Sequence, residues 1–166
     1  MIVFCSAGCA GTDKVGVDLV EYVNQDIIGI AQVETKALAR YAAVTGQNYT
    51  DDPTLLKALN EEVIPLYKRF LHLLRQVDTP QEEIRQLHSI YISGAEDLYA
   101  GFKLIRSALE RTDEALVRAA NTKIESGRLK TDQWRERLLE LYEIHGVKSV
   151  AEKKASVAER QIIETR

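Results

Sequence analysis

Two cysteines are the residues of this chain with the most obvious chemical potential. Cys5 and Cys9 lie in the sequence CSAGCAG, and they are the only 2 cysteines among 166 residues. A thioredoxin-type redox pair needs the shorter Cys-x-x-Cys spacing within a βαβ unit, which is not the pattern here. A zinc site would need further cysteine or histidine ligands close in the sequence, and none follows. The spacing therefore predicts neither a redox site nor a zinc site.

Two ionisable residues interrupt the apolar positions of the helical patterns and are the next candidates. Glu34 lies late in the first predicted helix, and His88 lies early in the third. At about 1.5 Å per residue, parallel first and third helices would place them roughly 20 Å apart, so we expect no shared ligand. We expect Glu34 to pair with Lys103 or Lys123. The alternative is that Glu34 recognises a cationic ligand between helices.

The histidines are predicted to be structural. We expect His88 to lie at the edge of the core, with both ring nitrogens bonded to backbone or side-chain partners. A zinc site formed by His72, His88 and His145 is the weaker alternative, because His72 falls between apolar positions and should point outward. Neither the Glu-x-x-His pairs of di-metal bundles nor the Cys-x-x-Cys-His haem motif occurs. The sequence therefore predicts no cofactor and no metal, with His88 as a weak metal candidate.

Composition and charge exclude several classes of protein. The net charge of -3 and the sequence pI of about 5.7 give no basic stripe for nucleic acid. No run of roughly eighteen apolar residues is present, so the body of the chain is not expected to span a membrane. No serine, cysteine or lysine nucleophile stands with a base and an orienting group. These features favour a non-enzymatic protein without a nucleic-acid partner.

Four long amphipathic segments must position these residues. Apolar side chains recur with the alternating three- and four-residue spacing of a helix that buries one face. The predicted helices cover residues 13–45, 53–77, 80–111 and 113–145. Short connections between long helices favour antiparallel neighbours. The fold prediction is an all-α, antiparallel up-down-up-down four-helix bundle, followed by a helix-prone C-terminal tail over residues 147–166.

Local signals predict where the helices begin and bend. Asp52 precedes a proline as an N-cap precedes the first helical residue. Thr79 with Glu82 has the pattern of a capping box, and Thr112 is the predicted N-cap of the fourth helix. Pro65 removes one backbone hydrogen bond. It therefore predicts a kink in the middle of the second helix.

The apolar face of the fourth helix is thin at its centre. Gly127 and Thr131 are small where the other positions are large. They either let a neighbouring helix approach closely or mark a weak point that frays or bends. A ligand cavity at this level would be lined by Glu34, Asn121, Lys123 or Thr131, whereas a structural bundle would fill it. The candidate ligand-binding residues are Glu34, Lys123 and Thr131.

The first residues of the chain carry a resemblance to a known family. The sequence Ser6-Ala7-Gly8-Cys9 resembles the end of a bacterial lipoprotein signal peptide, in which small residues precede the cysteine that is lipidated. We expect the signal itself to begin upstream of the first residue. Residues 15–147 are similar to small bacterial cell-envelope lipoproteins of unknown function, through Leu87-His88 and the segment AANTKIESGRLKTDQWRERLLEL.

The resemblance implies a location rather than an activity. Cys9 would be the site of lipid attachment, residues 1–12 the remnant of the signal and anchor, and residues 13–146 the bundle. A single acyl chain binds membranes weakly, so a stable anchor needs several. The predicted function is an envelope-tethered binding or structural module, with the membrane and a protein as candidate partners. The alternatives are a ligand-sensing bundle, a metal-dependent protein with a polar site between helices, and a cytoplasmic adaptor whose tail binds a partner.

Overall fold

The computed structural model describes residues 13–147, and every regular element in that range is helical. The first helix comprises Lys14–Glu21, the π-helical segment Tyr22–Ile27 and Ile28–Ala42. The second comprises Asp52–Ala58, the π-helical segment Leu59–Val63 and Ile64–Leu74. The third is Glu82–Arg111, and the fourth is Glu114–Ile144. A short 3-10 turn, Gly46–Asn48, lies between the first two helices. The all-α prediction is therefore confirmed for the described residues. Cys9 and residues 148–166 lie outside them.

Aspartates cap the first, second and fourth helices, and the caps of the second and fourth each lie one residue away from the predicted cap. Asp51, rather than Asp52, caps the second helix, and its carboxylate accepts a hydrogen bond from the backbone N–H of Thr54 at 2.7 Å. Asp113 caps the fourth helix. Thr112, the predicted cap, instead ends the third helix in the left-handed conformation with a φ of 52°. Both predictions were wrong because a neighbouring aspartate, which is a strong N-cap residue, occupies the capping position.

The third helix begins without a side-chain cap. Gln81 occupies the N-cap position and its side chain makes no capping hydrogen bond, so the capping box predicted from Thr79 does not form. The residue before a proline is restricted to extended conformations, which keeps Thr79 outside the helix. Glu82 and Glu83 occupy the first turn instead. Their negative charges interact favourably with the partial positive charge of the helix N-terminus.

Two π-helical segments interrupt the long helices. One, Leu59–Val63, ends two residues before Pro65, near the place where the sequence predicts a kink. The wider turn of a π-helix accommodates the proline ring. The backbone nitrogen of proline has no hydrogen and cannot donate the usual helical hydrogen bond. The other, Tyr22–Ile27, has no proline within it and was not predicted. It aims the hydroxyl of Tyr22 at His88 in the third helix, at 3.0 Å from Nδ1.

The four helices share one hydrophobic core. Its largest fully buried side chains include Tyr67, Phe70 and Phe102. The rings of Tyr67 and Phe102 lie 5.2 Å apart in an edge-on arrangement, and Phe102 also packs against Tyr41 at 4.8 Å. Each fully buried side chain of this size contributes about 1.5–3 kcal/mol to stability through removal of apolar surface from water. These aromatic contacts connect the first, second and third helices.

The third and fourth helices approach each other closely because glycines line their interface. A Cβ atom at Gly127 would lie 2.6 Å from Leu98 Cγ and 2.8 Å from the carbonyl oxygen of Gly94. A Cβ atom at Gly101 would lie 2.6 Å from Ile124 Cγ1. Only a residue without a side chain lets the two backbones come so near. Of the two roles predicted for Gly127, close helix approach is confirmed.

Because the third and fourth helices pack so closely together, space remains between the fourth helix and the first. The fourth helix packs mainly against the third, whereas it hardly contacts Ile28–Ala42, a segment that packs against the second helix. A groove therefore remains between Ile28–Ala42 and the centre of the fourth helix. We call it the first–fourth groove.

We predict that Gly127→Ala lowers the free energy of unfolding by about 1–3 kcal/mol, because the new methyl group overlaps backbone atoms that cannot move aside. The matched control is Gly29→Ala, since no atom lies within 4 Å of the corresponding Cβ position. Alanine is the better helix former, so this control should stabilise the protein by roughly 0.5–1 kcal/mol. Urea unfolding followed by circular dichroism measures both changes. Equal stability of the two variants would contradict the close helix contact.

Candidate functional site

The first–fourth groove is a partly enclosed site for a ligand. Its volume is about 460 Å³, within the range of roughly 300–1,000 Å³ that is usual for small-molecule sites. The first helix and the turn after it contribute Glu34, Leu38, Tyr41, Ala42 and Thr45; the third helix contributes Leu98; the fourth contributes Arg128, Thr131, Asp132 and Arg135. The groove thus combines apolar walls with a small number of charged groups.

A second depression runs along the outer face of the fourth helix and is a weaker candidate. It is lined by residues of that helix alone, including Asn121, Leu129 and Glu136. Its volume is larger, at about 1080 Å³, but it is also more open to solvent. A ligand there would be contacted from one side only. Ligand sites normally enclose most of the ligand surface, so we place the candidate site in the first–fourth groove.

Glu34 is a buried carboxylate in the wall of the groove. Only 7% of its surface is exposed. Oε1 accepts a hydrogen bond from the Tyr67 hydroxyl at 3.0 Å, and Oε2 accepts one from the Tyr91 hydroxyl at 2.6 Å. The two tyrosines come from the second and third helices, so three helices meet at this carboxylate. Hydrogen bonds to a charged group are about twice as strong as those between neutral groups.

The environment of Glu34 changes its acidity. Burial raises the pKa of Glu34 above its ordinary value of 4.5, while the hydrogen bonds from Tyr91 and Tyr67 and the positive charge of Arg135 partly oppose this shift. Burial, together with the negative charge of Glu34, in turn raises the pKa of both tyrosine hydroxyls, so they remain protonated donors. A buried carboxylate with a shifted pKa beside a groove is a common feature of functional sites.

The predicted ion pair of Glu34 is wrong. Lys123 binds Asp97 instead, with Nζ 2.7 Å from Oδ1. Lys103 places Nζ over the ring of Tyr99, 4.6 Å from its centre. Neither lysine reaches Glu34 because the buried position is better satisfied by hydroxyl donors, which do not carry the desolvation cost of an ammonium group.

Lys123 belongs to a polar cluster between the third and fourth helices. Asp97 also accepts hydrogen bonds from Lys130 at 2.6 Å and from Ser126 at 2.7 Å. Burial alone would raise the pKa of Asp97, but the hydrogen bonds from Lys123, Lys130 and Ser126 outweigh it and hold the pKa below its usual range. The cluster joins the two helices and lies outside the first–fourth groove. Lys123 is therefore not a residue of the candidate site.

Thr131 is brought to the groove beside Glu34, as the sequence analysis proposed for a cavity at this level. Its side chain is buried, and its hydroxyl donates a hydrogen bond to the carbonyl oxygen of Gly127 at 3.0 Å. The hydroxyl oxygen can still accept a hydrogen bond from a ligand. Asn121 is exposed on the outer face of the fourth helix and does not line the groove.

His88 has the structural role that the sequence predicts. Its Nε2 lies 2.9 Å from the carbonyl oxygen of Leu74, which can only accept, so Nε2 carries the proton. Nδ1 then accepts a hydrogen bond from the Tyr22 hydroxyl. Burial lowers the pKa of His88, which favours this neutral form. Both ring nitrogens of His88 thus have a hydrogen-bond partner within the bundle.

The other two histidines do not join His88. His145 lies between two carboxylates, with Nδ1 2.8 Å from Asp13 and Nε2 3.2 Å from Glu83. Hydrogen bonds to Glu83 and Asp13 raise the pKa of His145, which favours its charged form. His72 is exposed. Within residues 13–147, no group of three or more histidine, cysteine or acidic residues is arranged to hold a metal ion.

The sequence analysis missed the two arginines of the groove. Arg128 and Arg135 lie three residues before and four residues after Thr131, so the helical repeat places all three on one side of the fourth helix. This spacing was a signal available in the sequence. Tyr41 faces the same space from the first helix. It is half-buried, and burial raises its pKa against the opposing charge of Arg128.

Comparisons of the chain with models of protein families, with curated proteins and with solved structures find no match. The function is therefore inferred from the groove and its residues.

We predict that the free energy of unfolding of the wild type falls relative to that of Glu34→Gln as the pH rises above about 4.5, which is the ordinary pKa of a glutamate side chain. The folded state keeps the Glu34 proton after the unfolded state has lost it, because burial raises the folded pKa. Glu34 therefore contributes most to the stability of the folded state at low pH. This contribution decreases as the pH rises and is lost once the pH has passed the folded pKa. Urea unfolding at a series of pH values measures the difference.

The control is Glu61→Gln, which makes the same substitution at an exposed position outside the groove. A wild-type stability that rises relative to Glu34→Gln over the same pH range would show that the buried carboxylate is stabilised, not destabilised, by its surroundings.

Proposed function

We propose that this protein is a non-enzymatic, ligand-binding four-helix bundle whose binding site is the first–fourth groove. The observation that supports this most strongly is the buried carboxylate of Glu34 in the wall of a groove that combines apolar and charged side chains. A buried ionisable group rarely adds to stability compared with a well-packed apolar side chain. Its presence beside an open space, together with Thr131 and two arginines, is typical of a site that orients a small molecule.

The proposed arrangement is antiparallel and up-down-up-down. It is supported by the contacts between the third and fourth helices, where positions late in one helix face positions early in the other. Gly94 lies against Gly127, whereas Gly101, further along the third helix, lies against Ala120 and Ile124. The short connections between successive helices favour the same arrangement for the remaining pairs.

The proposed location is the bacterial cell envelope, with a lipid anchor at Cys9. This proposal depends on the similarity of residues 6–9 to the end of a lipoprotein signal peptide. Among the described helices, none has the length and apolar content needed to cross a membrane. Metabolic labelling with a radioactive fatty acid tests the anchor, since label should enter the wild type but not Cys9→Ser. Equal labelling of both would contradict attachment at Cys9, and absence of label from the wild type would favour the cytoplasmic alternative.

We predict that the neutral dye N-phenylnaphthylamine binds the full chain at one site and that Ala42→Phe weakens this binding about tenfold or more, because the new ring fills the groove. Ala42 lines the groove at the end of the first helix. The dye fluoresces strongly in apolar surroundings, so a fluorescence titration measures the affinity.

Ala43→Phe is the matched control, since Ala43 is exposed and does not line the groove. It should bind the dye within about twofold of the wild type if the groove is the site. Unfolding curves of both variants must match the wild type. Equal dye affinity of Ala42→Phe and the wild type would contradict the proposed function.

A further inference from the structure

We infer that the natural ligand of the first–fourth groove is an organic anion with an apolar or aromatic body. This inference depends on the proposed function, because it specifies the ligand of the same site. It replaces the cationic ligand that the sequence analysis considered for Glu34.

Positive charge is available on the fourth-helix side of the groove. Arg128 and Arg135 are separated by two helical turns and both line the groove. Arg135 is paired with Asp132 at 2.5 Å. Arg128 has no carboxylate partner among the described residues, although several other exposed arginines do. A guanidinium group binds carboxylate, sulfonate or phosphate groups through two parallel hydrogen bonds.

Negative charge is present but already engaged. The groove has two carboxylates, Glu34 and Asp132. Each oxygen of Glu34 accepts a hydrogen bond from a tyrosine, and Asp132 is held by Arg135. A cationic ligand would have to compete with these donors and would also face two guanidinium groups. The balance of accessible charge therefore favours an anion.

The remaining lining residues match an apolar ligand body. Leu38 and Leu98 supply aliphatic surface, and Tyr41 supplies an aromatic ring on the opposite side from Arg128. Leu38 is 37% exposed, so part of its apolar surface faces the groove uncovered. Covering it with a ligand would gain hydrophobic free energy. The head group would then lie at the arginines and the body between the first and third helices.

Anilinonaphthalene sulfonate tests this inference, because it is N-phenylnaphthylamine with an added sulfonate group. We expect the sulfonate to bind the full chain about tenfold more tightly than its neutral parent, since charge-assisted hydrogen bonds to partly exposed arginines are of moderate strength. The double variant Arg128→Gln, Arg135→Gln should remove this preference, measured as the ratio of the affinities of the two dyes for the same variant. Arg128→Gln alone should remove part of it.

The control is Arg137→Gln, because Arg137 is an exposed arginine of the same helix that pairs with Glu140 and does not line the groove. It should keep the full preference for the sulfonate. Equal affinities of the two dyes for the wild type, or an undiminished preference in the double variant, would overturn the inference. Failure of the neutral dye to respond to Ala42→Phe would instead contradict the proposed function, so the two failures are distinguishable.

Discussion

The rest of the structure depends on the close contact between the third and fourth helices. At Gly127 the nearest atoms across the interface include backbone atoms of Gly94 and Leu98, which cannot move aside as a flexible side chain can. The cluster of Asp97, Lys123 and Lys130 joins the same two helices through hydrogen bonds. With the fourth helix held there, it cannot pack equally closely against Ile28–Ala42. The groove is thus a consequence of the glycines at the interface between the third and fourth helices.

Glu34 connects this groove to the core. Its two oxygens are held by Tyr67 and Tyr91, and Tyr91 stacks on Trp134 with ring centres 4.3 Å apart. A ligand that changes the charge or hydrogen bonding of Glu34 would therefore affect three helices at once. An apolar residue in this position would fill the same space without an ionisable group. The carboxylate is more easily understood as part of a binding site than as part of the packing.

Periodicity was sufficient to predict the helices, because long segments with one apolar face have few other solutions. It also places Glu34 and Thr131 on the buried faces of their helices, where the structure has them. Lys123 was wrongly assigned because a long side chain beside the core can turn toward either neighbouring helix, and its partner Asp97 was not recognised. The π-helical segment Tyr22–Ile27 has no local sequence signal. It depends on the tertiary contact between Tyr22 and His88, which the sequence alone does not specify.

The central claim is that ligands bind between the first and fourth helices rather than on the outer face of the fourth. Amide chemical-shift mapping by NMR, with anilinonaphthalene sulfonate added to the full chain, tests this directly. We predict that the largest shifts occur at groove residues of both helices, with Leu38, Tyr41 and Thr131 among them. Shifts confined to the fourth helix and centred on Asn121, Leu129 and Glu136 would place the dye in the outer depression and contradict the claim.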